Sequence, residues 1–195
     1  MANSKHSPSF LVLFLVLLRL LSIAASVANS DVFSKSLSPS ALELKQEKLT
    51  HLHFYFQDIV SGKIPTAIRV AQAPTTITSS TGFGAMNITD DPLTVTPDIN
   101  STLVGRAQGL YASSSQEETS LVMVMTFSFL EGKYNGSTVS MLGRNPPFNK
   151  VREMPIVGGS GLFRFARGYA QAKTVTFNLT TGDACVEYSV YVLHY

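Results

Sequence analysis

Along residues 51–60, "HLHFYFQDIV", large apolar side chains alternate with polar ones: Leu52, Phe54 and Phe56 against His51, His53 and Tyr55. A period of two is what a strand shows when one face is buried and the other is wet. Extending the apolar series by one step lands on Asp58, a carboxylate on the buried face. Similar short runs, rich in β-branched and aromatic residues, recur to the C-terminus. They predict strands at 52–59, 67–72, 83–89, 105–111, 121–130, 137–142, a short one near 154–157, and longer ones at 169–177 and 184–194. Between them lie turn-forming stretches: "SGKIPT", "DDPLT", "EGKYNG", "GRNPPFN", "GGSG" and "TTGD". Helical periodicity is confined to a single turn at "SGLFRFA". Eight to nine strands joined by short turns predict an all-β antiparallel barrel or sandwich. The barrel is preferred, because closure removes exposed edges and a barrel of about eight strands can hold one small ligand.

The N-terminus breaks this pattern. Lys5 precedes an apolar run from Phe10 to Leu21, followed by small residues and the tripeptide Ser26-Val27-Ala28. That order predicts a secretory signal peptide over residues 1–28. The run, interrupted by Arg19, is too short for a membrane-spanning helix of about 20 residues. Residues 29–49 are polar and Ser-rich and read as a mobile lead-in, leaving one domain over 50–195. Lys5 and Arg19 leave with the signal, so 15 Lys+Arg fall to 13 against 13 Asp+Glu. That balance offers no basic footprint for nucleic acid.

Four N-glycosylation triplets, at Asn87, Asn100, Asn135 and Asn178, fit a secreted glycoprotein. Cys185 is alone, so packing and not an intrachain disulfide must hold the core. It reads as a small apolar residue of the last strand, since no acid–base partner for a nucleophile is evident. His51 and His53 share a face opposite to Asp58 and lack a third ligand, so no metal site is expected. "GGSGLF" (158–163) has Leu162 where a nucleophile elbow needs glycine, and it reads as a tight, close-approach turn.

What remains is polar groups set in or beside apolar strands: Asp58, Asp90, Asp91, Arg106, Tyr111, Arg144, Arg152 and Arg164. A carboxylate inside an apolar barrel either keeps its proton or pairs with an arginine, and both outcomes make it usable as an acid or base near neutrality. Asp90-Asp91-Pro92 reads as a turn, and Arg106 and Arg164 as surface or interface residues.

Five segments resemble the plant dirigent family in order and spacing: "FYFQDI" (54–59), "DDPLT" (90–94), "VGRAQGLY" (104–111), "NKVREMPIVGGSGLFRFARGYAQAKT" (149–174) and "VEYSVYVLHY" (186–195). The resemblance implies an eight-stranded antiparallel β-barrel of the dirigent and allene-oxide-cyclase-like type, a homotrimer, and secretion to the apoplast. It implies a pocket for phenolic substrates at one barrel end, with Asp58, Arg152 and Tyr111 as its catalytic residues. Asp90, Asp91 and Asn145 are further pocket candidates. Relatives that couple coniferyl alcohol carry Asp where this chain has Asn145, and "LGRN…VREMPIVGGSGLFRFARGYAQAKT" is more similar to the legume branch containing pterocarpan synthases.

That branch implies a carbon–oxygen lyase of isoflavonoid phytoalexin biosynthesis in plant defence. A pocket acid would protonate the C4 hydroxyl of a 2′-hydroxyisoflavanol, water would leave, and the resulting quinone methide would close its ring. Such chemistry needs no cofactor. Asp58 would be the acid, with Arg152 and Tyr111 stabilising charge, and strand 121–130 would supply walls. The alternative is a non-catalytic template that orients two phenoxy radicals made by a separate laccase-like oxidase.

Overall fold

The computed structural model describes residues 12–13, 15–19 and 33–195. Most of the expected signal peptide lies outside the described residues. Of the two compact units, residues 1–44 and 45–195, the first contains a 3-10 turn at Pro39–Leu42, capped by the Ser38 hydroxyl accepting from the Ser40 amide.

The second unit contains nine strands: β1 (Lys48–Asp58), β2 (Ala67–Ala71), β3 (Met86–Thr94), β4 (Leu103–Ser113), β5 (Leu121–Phe129), β6 (Thr138–Asn145), β7 (Arg152–Ser160), β8 (Arg167–Phe177) and β9 (Ala184–His194). All pair antiparallel in the order β1-β9-β8-β7-β6-β5-β4-β3-β2, and a β1–β3 pairing closes the ring. Eight strands therefore form a closed barrel, and β2 lies outside the ring as an extra partner of β3. The closure is brief, Tyr55 opposite Thr94 and Phe56 opposite Leu93. Beyond Phe56, β1 leaves β3, and β2 takes over the pairing from Ala67 opposite Thr89.

Alternation sets what fills the barrel. Phe54, Phe127, Phe129 and Tyr188 meet in its interior, with ring centroids 5.1 Å apart for Phe54 and Phe127 and 5.5 Å for Phe127 and Tyr188. Each such ring contributes about 2–3 kcal/mol by burial, and edge-to-face contacts add to it. Large residues on β5 and β9 face small ones, Ala107 on β4 and Ala170 and Ala172 on β8, which lets the bore close around them. One end is plugged by Phe163, Tyr134 and His194, where the Tyr134 and Phe163 rings stack at 4.9 Å. The other end stays open.

Several expectations are corrected. Asp90-Asp91-Pro92 is not a turn but the middle of β3, which begins at Met86 and not at Phe83. Strand N–H groups alternate sides, and the Asp90 N–H bonds the Thr66 carbonyl on the side away from β4. The missing N–H of Pro92 falls on that same side, where β1 has already left, so no ladder bond is lost. "GGSG" is also mostly strand: Gly158, Gly159 and Ser160 pair with Ser140, Val139 and Thr138, and the turn begins only at Gly161. The close approach expected there is real, since a Cβ on Gly159 would lie 2.5 Å from the Thr138 carbonyl oxygen. The strand expected near 154–157 thus runs from Arg152 to Ser160. β1 starts at Lys48, two residues before the expected domain boundary.

Candidate active site

The open end is where β1, β4, β6 and β8 finish and where β5, β7 and β9 begin. Their terminal inward-facing residues enclose a cavity of about 230 Å³. Phe56, Leu121, Met123, Pro147, Val186 and Phe177 give it apolar walls, and Asp58, Tyr111, Asn145, Arg152, Thr174 and Tyr188 also line it. A bulge between Thr174 and Thr176 returns Phe177 to the inward face opposite Ala184.

Asp58 ends β1 opposite Ala184 and continues the face of Phe54 and Phe56, as the alternation predicts. Burial raises its pKa to about 7, helped by the nearby Asp91 and Asp183 and opposed by a hydrogen bond from Tyr111. The Tyr111 hydroxyl donates to Asp58 Oδ1 at 3.3 Å. Burial and the Asp58 charge in turn raise the Tyr111 pKa far above its ordinary value. Tyr111 therefore stays a neutral phenol, able to donate. Asp58 is a carboxylic acid over a large part of the range below neutrality.

Arg152 is 3 % exposed. Its Nε donates to Asn145 Oδ1 at 2.9 Å and its Nη1 to Thr174 Oγ1 at 3.0 Å. Of the two outcomes open to a buried carboxyl, Asp58 does not take the arginine: the charges that act on it are Asp91 and Asp183, and those side-chain partners of Arg152 are neutral. Burial accordingly lowers the arginine's pKa from its usual value. The reason lies in the sheet. The ladder between β6 and β7 ends at Met141 opposite Ile156, since Pro155 has no N–H to continue it, and Arg152 at the start of β7 reaches the end of β6 through Asn145. Asn145 is thus the arginine's support as well as a cavity wall.

The two candidate aspartates separate. Asp91 is fully buried on the inward face opposite Ala107, although it stands behind the cavity wall and not on it. Thr66 and Thr89 donate their hydroxyls to its two carboxylate oxygens. Burial nonetheless raises its pKa to about 6. Asp90 is corrected as a pocket candidate: it points outward, where Arg106 Nε and Gln108 Nε2 donate to its Oδ1 at 2.6 and 3.1 Å and hold its pKa low. Arg106 is thereby a surface residue, and Arg144 pairs with Glu118 outside the barrel.

Tyr188 was not anticipated from the sequence. It is 1 % exposed, lines the cavity, and its pKa is raised by burial while the charge of Arg152 works to lower it. The signal was present, since Val186, Tyr188, Val190 and Val192 alternate on the last strand. Cys185, between inward residues, faces outward beneath the loop after β3, with its thiol 3.8 Å from the Pro97 carbonyl oxygen. His51 stacks on Tyr191 and His53 bonds Glu187, both outside the barrel.

A family model described as "Dirigent-like protein" matches residues 49–193. Dirigent protein 21 of Arabidopsis thaliana is 54 % identical over 185 residues, covering 95 % of this chain and 98 % of the relative. Pterocarpan synthase 1 of Glycyrrhiza echinata is 50 % identical over 183 residues, covering 93 % and 97 %. A solved pterocarpan synthase dirigent protein superposes with a TM-score of 0.77 at 53 % identity, covering 83 % of this chain and 99 % of that one. The barrel, the strand order and these matches agree, and the chain belongs to the dirigent family.

Proposed function

We propose that this protein is a carbon–oxygen lyase of the pterocarpan-synthase type, acting on a 2′-hydroxyisoflavanol. The observation that carries the reading is the presence of two opposite tendencies in one apolar cavity: an aspartic acid with a pKa near 7 and an arginine that, among the described residues, pairs with no carboxylate. An acid is needed at one end of the substrate and a cation at the other.

In the proposed reaction, Asp58 gives its proton to the C4 hydroxyl, the C4–O bond breaks and water leaves. The ring phenol gives its proton to water at the open barrel end, which turns the cation into a neutral quinone methide. Arg152 stabilises negative charge on that phenol oxygen. The 2′-oxygen then bonds to C4, the phenol oxygen takes a proton back from water, and the 2′-hydroxyl proton restores the Asp58 carboxyl. Net, one water is lost and no electrons are transferred. The Asn145 amide suits this role, because an acid at that position would neutralise Arg152. Tyr111 keeps Asp58 oriented, and the walls of Phe56, Leu121, Met123 and Val186 hold the rings so that closure occurs on one face. Similarity to Pterocarpan synthase 1 of Glycyrrhiza echinata and of Glycine max, each at 50 % identity, supports the same reading.

Relatives named only as dirigent proteins match equally well, which favours a second reading, a template for phenoxy-radical coupling. One experiment separates them. Purified protein is incubated with a 2′-hydroxyisoflavanol and no oxidase; prompt pterocarpan formation is expected. Turnover only of coniferyl alcohol, and only with added laccase, would decide for the template. The proposal includes secretion to the apoplast after loss of residues 1–28 and assembly as a homotrimer, read by mass spectrometry of apoplastic fluid and by light scattering.

A further inference from the structure

The triplet Asn87-Ile88-Thr89 looks like a glycan acceptor in the sequence, but its place in the barrel differs from that of the other three. Asn100, Asn135 and Asn178 are exposed and lie between strands. Asn87 and Thr89 lie within β3, opposite Tyr111 and Gly109 of β4, on the inward face that also carries Asp91 and Leu93. Ile88 points out, and Asn87, nearer the mouth, is half-buried beside a groove lined by Val60, Ile68 and Arg69.

Both polar side chains of the triplet are turned toward the site. Thr89 is 3 % exposed and donates its hydroxyl to Asp91 Oδ2. Thr66 donates to Asp91 Oδ1, the nearest of its acceptors, and its own oxygen accepts the Ile59 N–H at 3.2 Å. Each carboxylate oxygen of Asp91 therefore receives a hydroxyl proton, whereas Asp58 receives a side-chain donor on Oδ1 only, from Tyr111. Donors favour the ionised form, so of two neighbouring buried carboxyls the one with more donors holds the negative charge and the other keeps the proton. The pKa values, about 6 for Asp91 and about 7 for Asp58, run in that order. The Asn87 amide acts on the Tyr111 phenol from the other side and favours its anionic form.

We propose that Asn87-Ile88-Thr89 is a support for the acid and not a glycan acceptor: Thr89 positions Asp91 as the anion that keeps the proton on Asp58, and Asn87 stays unglycosylated in the folded protein. A glycan is attached while the chain is still unfolded, and in the folded protein the Asn87 amide bonds the Tyr111 phenol, a contact that a sugar on that amide nitrogen would disturb. The proposal rests on Asp58 being the acid of the reaction, but its tests do not use turnover. The groups facing Asp58 are Tyr111 from β4, Asp91 from β3, Tyr188 from β9 and Asp183 from the β8–β9 turn; Asp91 is faced by Asp90 and Arg106 as well.

The first test maps glycans by peptide mass spectrometry on protein secreted from plant cells and purified as the folded form. Sugar at one or more of Asn100, Asn135 and Asn178 with none at Asn87 is expected; sugar at Asn87 in folded protein overturns the proposal. The second follows the Asp58 carboxyl by carbon NMR through a pH titration. Thr89→Val should raise the ionisation constant of Asp58 about tenfold, because Asp91 then takes up the proton in its place. Thr89→Ser, which keeps the hydroxyl, should restore the original titration. Should Thr89→Val not fold, Asp91→Asn serves, since it removes the charge with little change of shape and should move the Asp58 titration to lower pH in the same way. A titration of Asp58 unchanged in Thr89→Val, or in Asp91→Asn, overturns the role of the triplet, whether or not Asp58 later proves to be the acid.

Discussion

Tyr111 donates its hydroxyl proton to Asp58 Oδ1 at 3.3 Å, joining the end of β4 to the end of β1 across the mouth of the barrel. No backbone ladder connects those two strands, and β3 lies between them in the sheet. The bond is therefore a property of the closed barrel, and it links the proposed acid to its proposed orienting donor.

Because the Tyr111 hydrogen bond lowers the Asp58 pKa, its loss should raise it. Tyr111→Phe should move the alkaline fall of the pH–rate profile to higher pH while reducing the maximal rate. A profile displaced to lower pH would remove Tyr111 as the orienting donor.

Replacing the acid should be more severe. Asp58→Asn is expected to cut turnover about a hundredfold or more. Folding should survive, since the amide is nearly isosteric and no partner charge is stranded. Turnover is measured on protein of unchanged circular dichroism; a near-normal rate would exclude Asp58 and turn attention to Asp91.

Arg152 is a buried cation held by neutral partners, so its removal should separate activity from stability. Arg152→Met is expected to slow turnover at least tenfold while leaving the melting temperature unchanged or higher, because an uncompensated buried charge is exchanged for an apolar chain of similar length. A large fall in melting temperature would show that the arginine's bonds to Asn145 and Thr174 chiefly hold the ends of β6 and β8 to β7.

Stability should also depend on pH in a definite direction. Asp58 and Asp91 have folded pKa values raised to about 7 and about 6 from 3.8. Between those limits the folded state binds more protons than the unfolded one, so stability is greatest at the acid end and falls as pH rises from about 4 to about 7. The loss is on the order of a few kcal/mol and levels off above neutrality. Asp90 and Asp183, with pKa values held low, gain and lose their contributions at more acid pH. Denaturant unfolding across this range measures the trend, which Asp58→Asn should flatten; a rise toward neutrality would contradict the burial of both carboxyls.

Much of this molecule was legible in the one-dimensional pattern. The period of two in Leu52, Phe54 and Phe56 was enough to place Asp58 inside, because a strand's faces follow from backbone geometry alone. Short turns between β-branched runs were enough for an antiparallel all-β domain, and the need to cover strand edges favoured the closed form. The same local reasoning failed where a long-range neighbour overrode it. Asp90-Asp91-Pro92 has the composition of a turn, and it is a strand because β1 leaves β3 beside Pro92 and β4 pairs along the other edge. Which aspartate faces inward followed from that register, since a shift of one residue exchanges the faces. Arg152 meets Asn145 and Thr174, and not Asp58, because the ends of β6 and β8 bring those two side chains beside the start of β7. Alternation is local and is written in the chain; the partner of a buried charge is set by which strands the closed barrel brings together, and that was decided only by the tertiary structure.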